Sequence, residues 1–179
     1  MILTIKFICD EAEGFSRTLR IDAERTFLDL NRAILSACGY GDDQLTSFYI
    51  CDDDWQRHAQ ITRQDMGSGN PDEDLYTMEA TRLSDFIEDE GQKLEYVFDP
   101  FSERTFFLQV KRCEPSGSLA EAEVTAAHGA APRQIADLDF SLPAAAAVTA
   151  DDEEIFGGED IDLEDIDLEG FEFGEEGAF

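Results

Sequence analysis

The chain has 179 residues and a net charge of −29. Such a field repels nucleic-acid phosphates and anionic lipid, so direct binding to either is not expected. The charge is uneven: residues 1–115 hold 12 basic and 24 acidic side chains, and residues 116–179 hold 1 basic and 18 acidic.

The N-terminus, Met1-Ile2-Leu3-Thr4-Ile5-Lys6, lacks the charged start and apolar run of a signal peptide, and Asp10 and Glu11 interrupt it early. No apolar stretch approaches the ~20 residues of a membrane span. Together these lead to the expectation of a cytoplasmic protein without a membrane segment. The cysteines Cys9, Cys38, Cys51 and Cys113 form no CxxC pair, so no zinc knuckle is indicated, and all four are read as reduced and structural.

Leu3, Ile5, Phe7 and Cys9 alternate with Thr4, Lys6 and Ile8, which predicts a strand with one strongly apolar face. A turn at Gly14 leads to a second strand in which Phe15, Leu19 and Ile21 share a face with the long stem of Arg17. Thr26 opens a helix, with Asp29 at the reciprocal capping position. Phe27, Leu30, Ile34 and Ala37 follow helical spacing, and Gly39 supplies the C-terminal cap.

Thr46 to Cys51 predicts a third strand, apolar on both faces and therefore central. Residues 52–80 read as irregular. Leu83 to Glu88 predicts a short helix stopped at Gly91. Leu94, Tyr96 and Phe98, then Phe106, Leu108 and Val110, alternate with more polar neighbours in two last strands.

The predicted order is β-β-α-β-loop-α-β-β, a small two-layer α+β domain of the β-grasp kind over residues 1–113. Residues 114–150, Ala-rich with Pro115, Pro132 and Pro143, read as a linker. Residues 151–179 read as an acidic-hydrophobic tail.

The blocks TFLDLNRAILSACGY (residues 26–40), LTSFYI (45–50), LSDFI (83–87) and LEYVFD (94–99) resemble the plasmid pRiA4b ORF-3-like family, over roughly residues 1–112. The resemblance implies a fold rather than an established reaction. Family members carry a YDFGD-x-W-x-H block after the tyrosine strand. In this chain only Asp99 of that block is kept, Arg104 stands at the Trp position and Phe106 at the His position, so an activity residing in that Trp and His does not carry over.

Two stretches invite a functional reading. Asp52-Asp53-Asp54-Trp55 offers carboxylates for Mg²⁺ or Ca²⁺, but Arg57 and Arg63 occupy the positions where a Ca²⁺ loop has its Gly and Glu, so a solvated strand end with Trp55 covering the core is preferred. Cys51 with His58 would be the only nucleophile-and-base pairing to consider, and the apolar strand before Cys51 argues for a buried, inert thiol. No catalytic site, cofactor or metal is expected. An enzyme or metal site in the 52–58 loop stays as one alternative.

The tail is the other stretch. Ile155, Phe156, Ile161, Leu163, Ile166, Leu168, Phe171 and Phe173 lie among carboxylates, with the repeats Asp160–Glu164 and Asp165–Glu169 and no Lys or Arg. No single periodicity holds, and ordering this backbone costs more than its apolar side chains return, so the tail is expected to be disordered alone. Acidic-hydrophobic alternation is the composition of segments that dock on a basic, apolar partner. The expected function is therefore a non-enzymatic protein-interaction module using those eight side chains. A polyanion mimic that blocks a nucleic-acid-binding groove is the second alternative.

Overall fold

The computed structural model describes residues 1–64 and 76–136. They form one eight-stranded sheet with a single α-helix, an α+β arrangement dominated by strands. The strands are β1 (Ile2–Ile8), β2 (Ser16–Asp22), β3 (Ser47–Cys51), β4 (Arg57–Thr62), β5 (Tyr76–Thr77), β6 (Lys93–Asp99), β7 (Arg104–Glu114) and β8 (Glu123–His128). Helix α1 spans Phe27–Cys38. Across the sheet the order is β5-β4-β3-β6-β7-β1-β2-β8, and every pairing is antiparallel except β4 with β5.

The ends of α1 follow from its sequence. The Thr26 hydroxyl accepts from the Asp29 N–H at 3.2 Å, and the Asp29 carboxylate accepts from the Thr26 N–H at 3.3 Å. Two further N–H groups of the first turn, those of Phe27 and Leu28, donate to the carbonyls of Thr81 and Met78, so the chain before β6 completes the cap. At the other end Gly39 adopts φ 71°, its N–H reaches the Ser36 carbonyl, and the Tyr40 N–H reaches the Leu35 carbonyl. That is a Schellman motif, and it requires the left-handed conformation glycine adopts without strain.

Phe27, Leu30 and Ile34 of α1 are fully buried against one face of the sheet. Phe27 meets Phe48 edge-on at 5.3 Å, and Phe106 stacks on Phe98 at 4.4 Å. One polar cluster lies in this core: Asn31, itself fully buried, accepts through Oδ1 from the hydroxyls of Thr46 (2.8 Å) and Tyr96 (2.7 Å). Arg17 lies on the same face, as its place in the alternation requires. It is 9% exposed and donates to the carbonyls of Ala37, Ser16 and His128, fastening the end of α1 and the end of β8 to β2.

The structure corrects the sequence reading in three places. The stretch 52–80, read as irregular, contains β4 and β5. The helix expected over 83–88 is a single 3-10 turn at Leu83–Asp85. The chain beyond residue 113, read as linker, supplies β8 along β2 and continues to Gln134, whose side chain bonds both the N–H and the carbonyl of Gly41. Gly129 closes this addition. At φ +64° its Cα lies so close to the Gly14 carbonyl that a Cβ would come within 2.7 Å of it.

Candidate functional site: the open face of the sheet

Helix α1 and the 76–87 segment cover one face of the sheet, and the strand registers set out what stands on the other. Ser16, Ile8, Phe107, Glu95, Tyr49 and Gln60 follow one another across six strands. The adjacent row is Thr18, Lys6, Gln109, Lys93, Cys51 and Arg57. This face mixes charge with partly exposed apolar side chains, as is common for an antiparallel sheet solvated on one side.

Two arrangements on it are well defined. Glu95 is only 7% exposed, and Arg57 covers it with Nη2 and Nε at 2.6 and 2.7 Å from Oε2, while the guanidinium lies over the Tyr49 ring at 4.2 Å. The buried carboxylate is thus compensated on the spot, which is what burial of a charge demands. Farther along, Trp55 meets Phe107 edge-on at 5.1 Å, with the Lys93 ammonium 5.1 Å from the indole ring centroid.

Trp55 therefore sits on the outside of the sheet, not over the core as its sequence position implied. It belongs to the tight β3–β4 turn, where it takes φ 63°. Asp52 builds that turn: its Oδ1 accepts from the N–H groups of Asp54 and Gln56, both at 2.9 Å, and its Oδ2 lies 3.2 Å from His58 Nε2. These bonds, led by that from Gln56, hold the Asp52 carboxyl below its usual pKa. Asp53 and Asp54 point into solvent. The three carboxylates do not converge, and among the described residues no group of three or more His, Cys, Asp or Glu is placed to hold a metal ion. Cys51 is buried, its thiol pushed up to about 11 by desolvation, and His58 turns to Asp52. A thiol held in its neutral form is a poor nucleophile.

Two larger hollows flank the sheet. One, of about 390 Å³, lies between the β1–β2 and β6–β7 ends and is lined by Cys9, Glu11, Arg57, Glu95, Arg104 and Phe107 among others. Its two arginines are already engaged, since Arg104 grips both Glu11 oxygens at 2.9 and 3.0 Å and Arg57 grips Glu95, and Asp10 and Glu103 add further carboxylates to its lining. Burial raises the Cys9 thiol as well. Phe106, at the position where the family block has its His, is fully buried and stacked on Phe98 in the core, so the residue there packs rather than reacts. The other hollow, of about 480 Å³, runs between α1 and residues 120–122 and is lined by Arg25, Asp29, Arg32 and Ser36. The Arg25 guanidinium already bonds the Ala120 carbonyl there.

The eight tail side chains singled out from sequence, Ile155 to Phe173, lie outside the described residues. The open-face groupings around Arg57 and Trp55 were not found from sequence. The alternation in β1, β6 and β7 puts Lys6, Lys93 and Lys111 on the polar side, but only the register between strands brings them together.

Comparison with known proteins bears on the fold. A family model described as plasmid pRiA4b ORF-3-like protein matches residues 3–139, which takes in β8 and extends the resemblance past residue 112. The crystal structure of a protein of unknown function from Methanosarcina mazei Go1 is similar at a TM-score of 0.57 and 18% identity, over 73% of this chain and 71% of that one. At that identity the likeness is one of fold. No curated protein matches the chain.

Proposed function

The chain belongs to the plasmid pRiA4b ORF-3-like family, and we propose that this member is a non-enzymatic protein-interaction module whose tail docks on a basic, apolar partner surface. The observation that carries this reading is the composition of residues 151–179, where Phe171, Phe173 and the Ile/Leu repeats stand among carboxylates without a single Lys or Arg. Desolvated aromatic and aliphatic anchors supply affinity at such interfaces, and surrounding charges set the encounter rate. The thiols of the described residues add support, because burial holds Cys9, Cys38, Cys51 and Cys113 in the neutral form, in which a thiol is a poor nucleophile. In this reading the head is β-grasp-like in the loose sense of a hairpin and a helix closing one side of a sheet, and the tail becomes ordered only on its partner. The protein works in the cytoplasm.

Capture of partners from a cytoplasmic extract by the intact chain and by two variants tests the reading. A partner kept by the intact chain and by a variant with Asp160, Asp162, Asp165 and Asp167 changed to Asn, but lost by F171A/F173A at low and high salt, is the expected result. The converse, loss with the Asn variant and retention with F171A/F173A, replaces the reading with a polyanion mimic that occupies a nucleic-acid-binding groove.

A further inference from the structure

The chain has three lysines, Lys6, Lys93 and Lys111, and the fold brings all three to one place. They lie on the neighbouring strands β1, β6 and β7, on the open side of the sheet. Lys6 and Lys93 flank Gln109 in one cross-strand row. Lys111 is the extra residue of a β-bulge, since Thr4 pairs with Arg112 and Ile5 with Val110, and the bulge turns its side chain toward the same spot. Lys6, Ile8, Trp55, Phe107, Gln109 and Lys111 line a depression of about 170 Å³, and the Lys93 ammonium stands 5.1 Å from the centroid of the Trp55 ring.

The charge of the group is unusual for this chain. With 42 carboxylates against 13 cationic side chains, a cation here has carboxylates to spare. Arginines show it: Arg20 pairs with Glu114, Arg57 with Glu95, Arg82 with Glu24 and Arg104 with Glu11. None of the three lysines forms an ion pair among the described residues. Lys93 bonds the Asp53 carbonyl, and Lys111 bonds the Gln109 side chain. Between them stands apolar surface: Ile8 is 43% exposed and lies beside Phe107 and Trp55.

We propose that this three-lysine face is a docking surface for an acidic peptide segment bearing aromatic or aliphatic side chains. The carboxylates meet Lys6, Lys93 and Lys111, and one apolar side chain enters the depression between Ile8, Trp55 and Phe107. The volume fits that occupant, being below the ~300 Å³ at which small-molecule sites begin. Charge complementarity requires an anion, and the exposed Ile8 requires one with an apolar part. A single-stranded nucleic acid fits less well. Stacking of bases needs free ring faces, whereas the Trp55 face is taken by the Lys93 ammonium and its other neighbour is Phe107 at 84°. Residues 1–115 also carry a net of −12, which an extended phosphate backbone would have to run through. The surface belongs to β1, β6 and β7 and stands independently of the reading of residues 151–179 above.

Trp55 is the only tryptophan of the chain, so its emission reports on this surface directly. The probe is a synthetic peptide of residues 159–174, which is acidic, carries Ile, Leu and Phe, and contains no tryptophan. It is titrated into the full chain and into a full chain in which Ile161, Leu163, Ile166, Leu168, Phe171 and Phe173 are all changed to Ser, which does not offer the same apolar side chains in competition. The expected result is a saturable change in Trp55 emission in at least one host. The K6Q/K93Q/K111Q variant, and separately K6Q/K111Q in case the loss of Lys93 disturbs the turn, should weaken binding about tenfold or more with melting temperature unchanged. A peptide with Ser in place of its Ile, Leu and Phe should bind more weakly than the original. The proposal is overturned by no saturable change in either host up to about 1 mM peptide. It is equally overturned by unchanged affinity in both lysine variants, or by an oligothymidylate that binds more tightly than the peptide.

Discussion

Successive side chains of β1, β6 and β7 go to opposite sides of the sheet, and the two sides differ in what holds them. On the helix side Phe7, Tyr96, Phe98 and Phe106 are buried with essentially no exposure. On the open side Lys6, Lys93, Gln109 and Lys111 stand around a partly exposed Trp55 and Phe107. The first side is specified by volume, because close-packed apolar side chains penalise any gap. The second is specified by pairing: where a carboxylate is buried, as at Glu95, a cation covers it, and where cations are unpaired they gather beside apolar surface. Close packing therefore sets the arrangement of one side, and the pairing of charges sets that of the other.

The deepest break in that contrast comes from the helix side. Phe27→Ala and Ile34→Ala should each destabilise by about 2–5 kcal/mol, measured by denaturant unfolding, since each leaves a cavity under α1. A cost under about 0.5 kcal/mol at Ile34 would mean the helix buries another stripe. Next comes Arg17→Met, which keeps much of the stem but removes donors from the carbonyls of Ala37, Ser16 and His128. It should cost about 1.5–3 kcal/mol and expose the β8 amides to faster hydrogen exchange. Unchanged exchange at residues 123–128 would show that β8 holds without it.

Acid should loosen the same region more gently. Hydrogen bonds from the Glu24 and Leu119 N–H groups lower the Asp22 pKa, with the bond from Glu24 as the largest cause. A depressed folded pKa contributes stability above the unfolded value of about 3.9, and that contribution disappears as pH falls through the folded pKa. Asp22→Asn should therefore lower stability at neutral pH and flatten its loss below about pH 4, followed by thermal melting across pH. The smallest effect belongs to the open side, where Lys6→Gln should change stability by less than about 0.5 kcal/mol.

Legibility in the sequence followed the same division. The caps of α1, the burial of Phe27, Leu30 and Ile34, and the inward side of Arg17 were all readable, because local hydrogen-bonding chemistry and apolar alternation carry them. β8 was not. Its residues Glu123-Val124-Thr125-Ala126-Ala127-His128 are mostly exposed, so an edge strand held by backbone bonds and by Arg17 leaves no periodic apolar signal. β4 was missed for the same reason, since Ile61 is its only buried residue. The lysine cluster was half legible. Alternation assigns each lysine to the polar side of its strand, but positions 6, 93 and 111 become neighbours only through the β1–β7 and β6–β7 registers, which no local pattern encodes.

The strand order also sets an order of assembly. The β6–β7 pair lies between β3 and β1, so the sheet is two partial sheets, β5-β4-β3 and β1-β2-β8, joined by a hairpin made late in the chain. As the chain leaves the ribosome, β1 and β2 can pair and α1 can form at once, but the inner edge of β1 waits for Arg104–Glu114. Closing that long loop is the step expected to be slow, because its entropy is lost before the central contacts form. The hairpin acts as a keystone, and a lesion in it should strand two half-sheets with open edges rather than fray a corner of the finished domain.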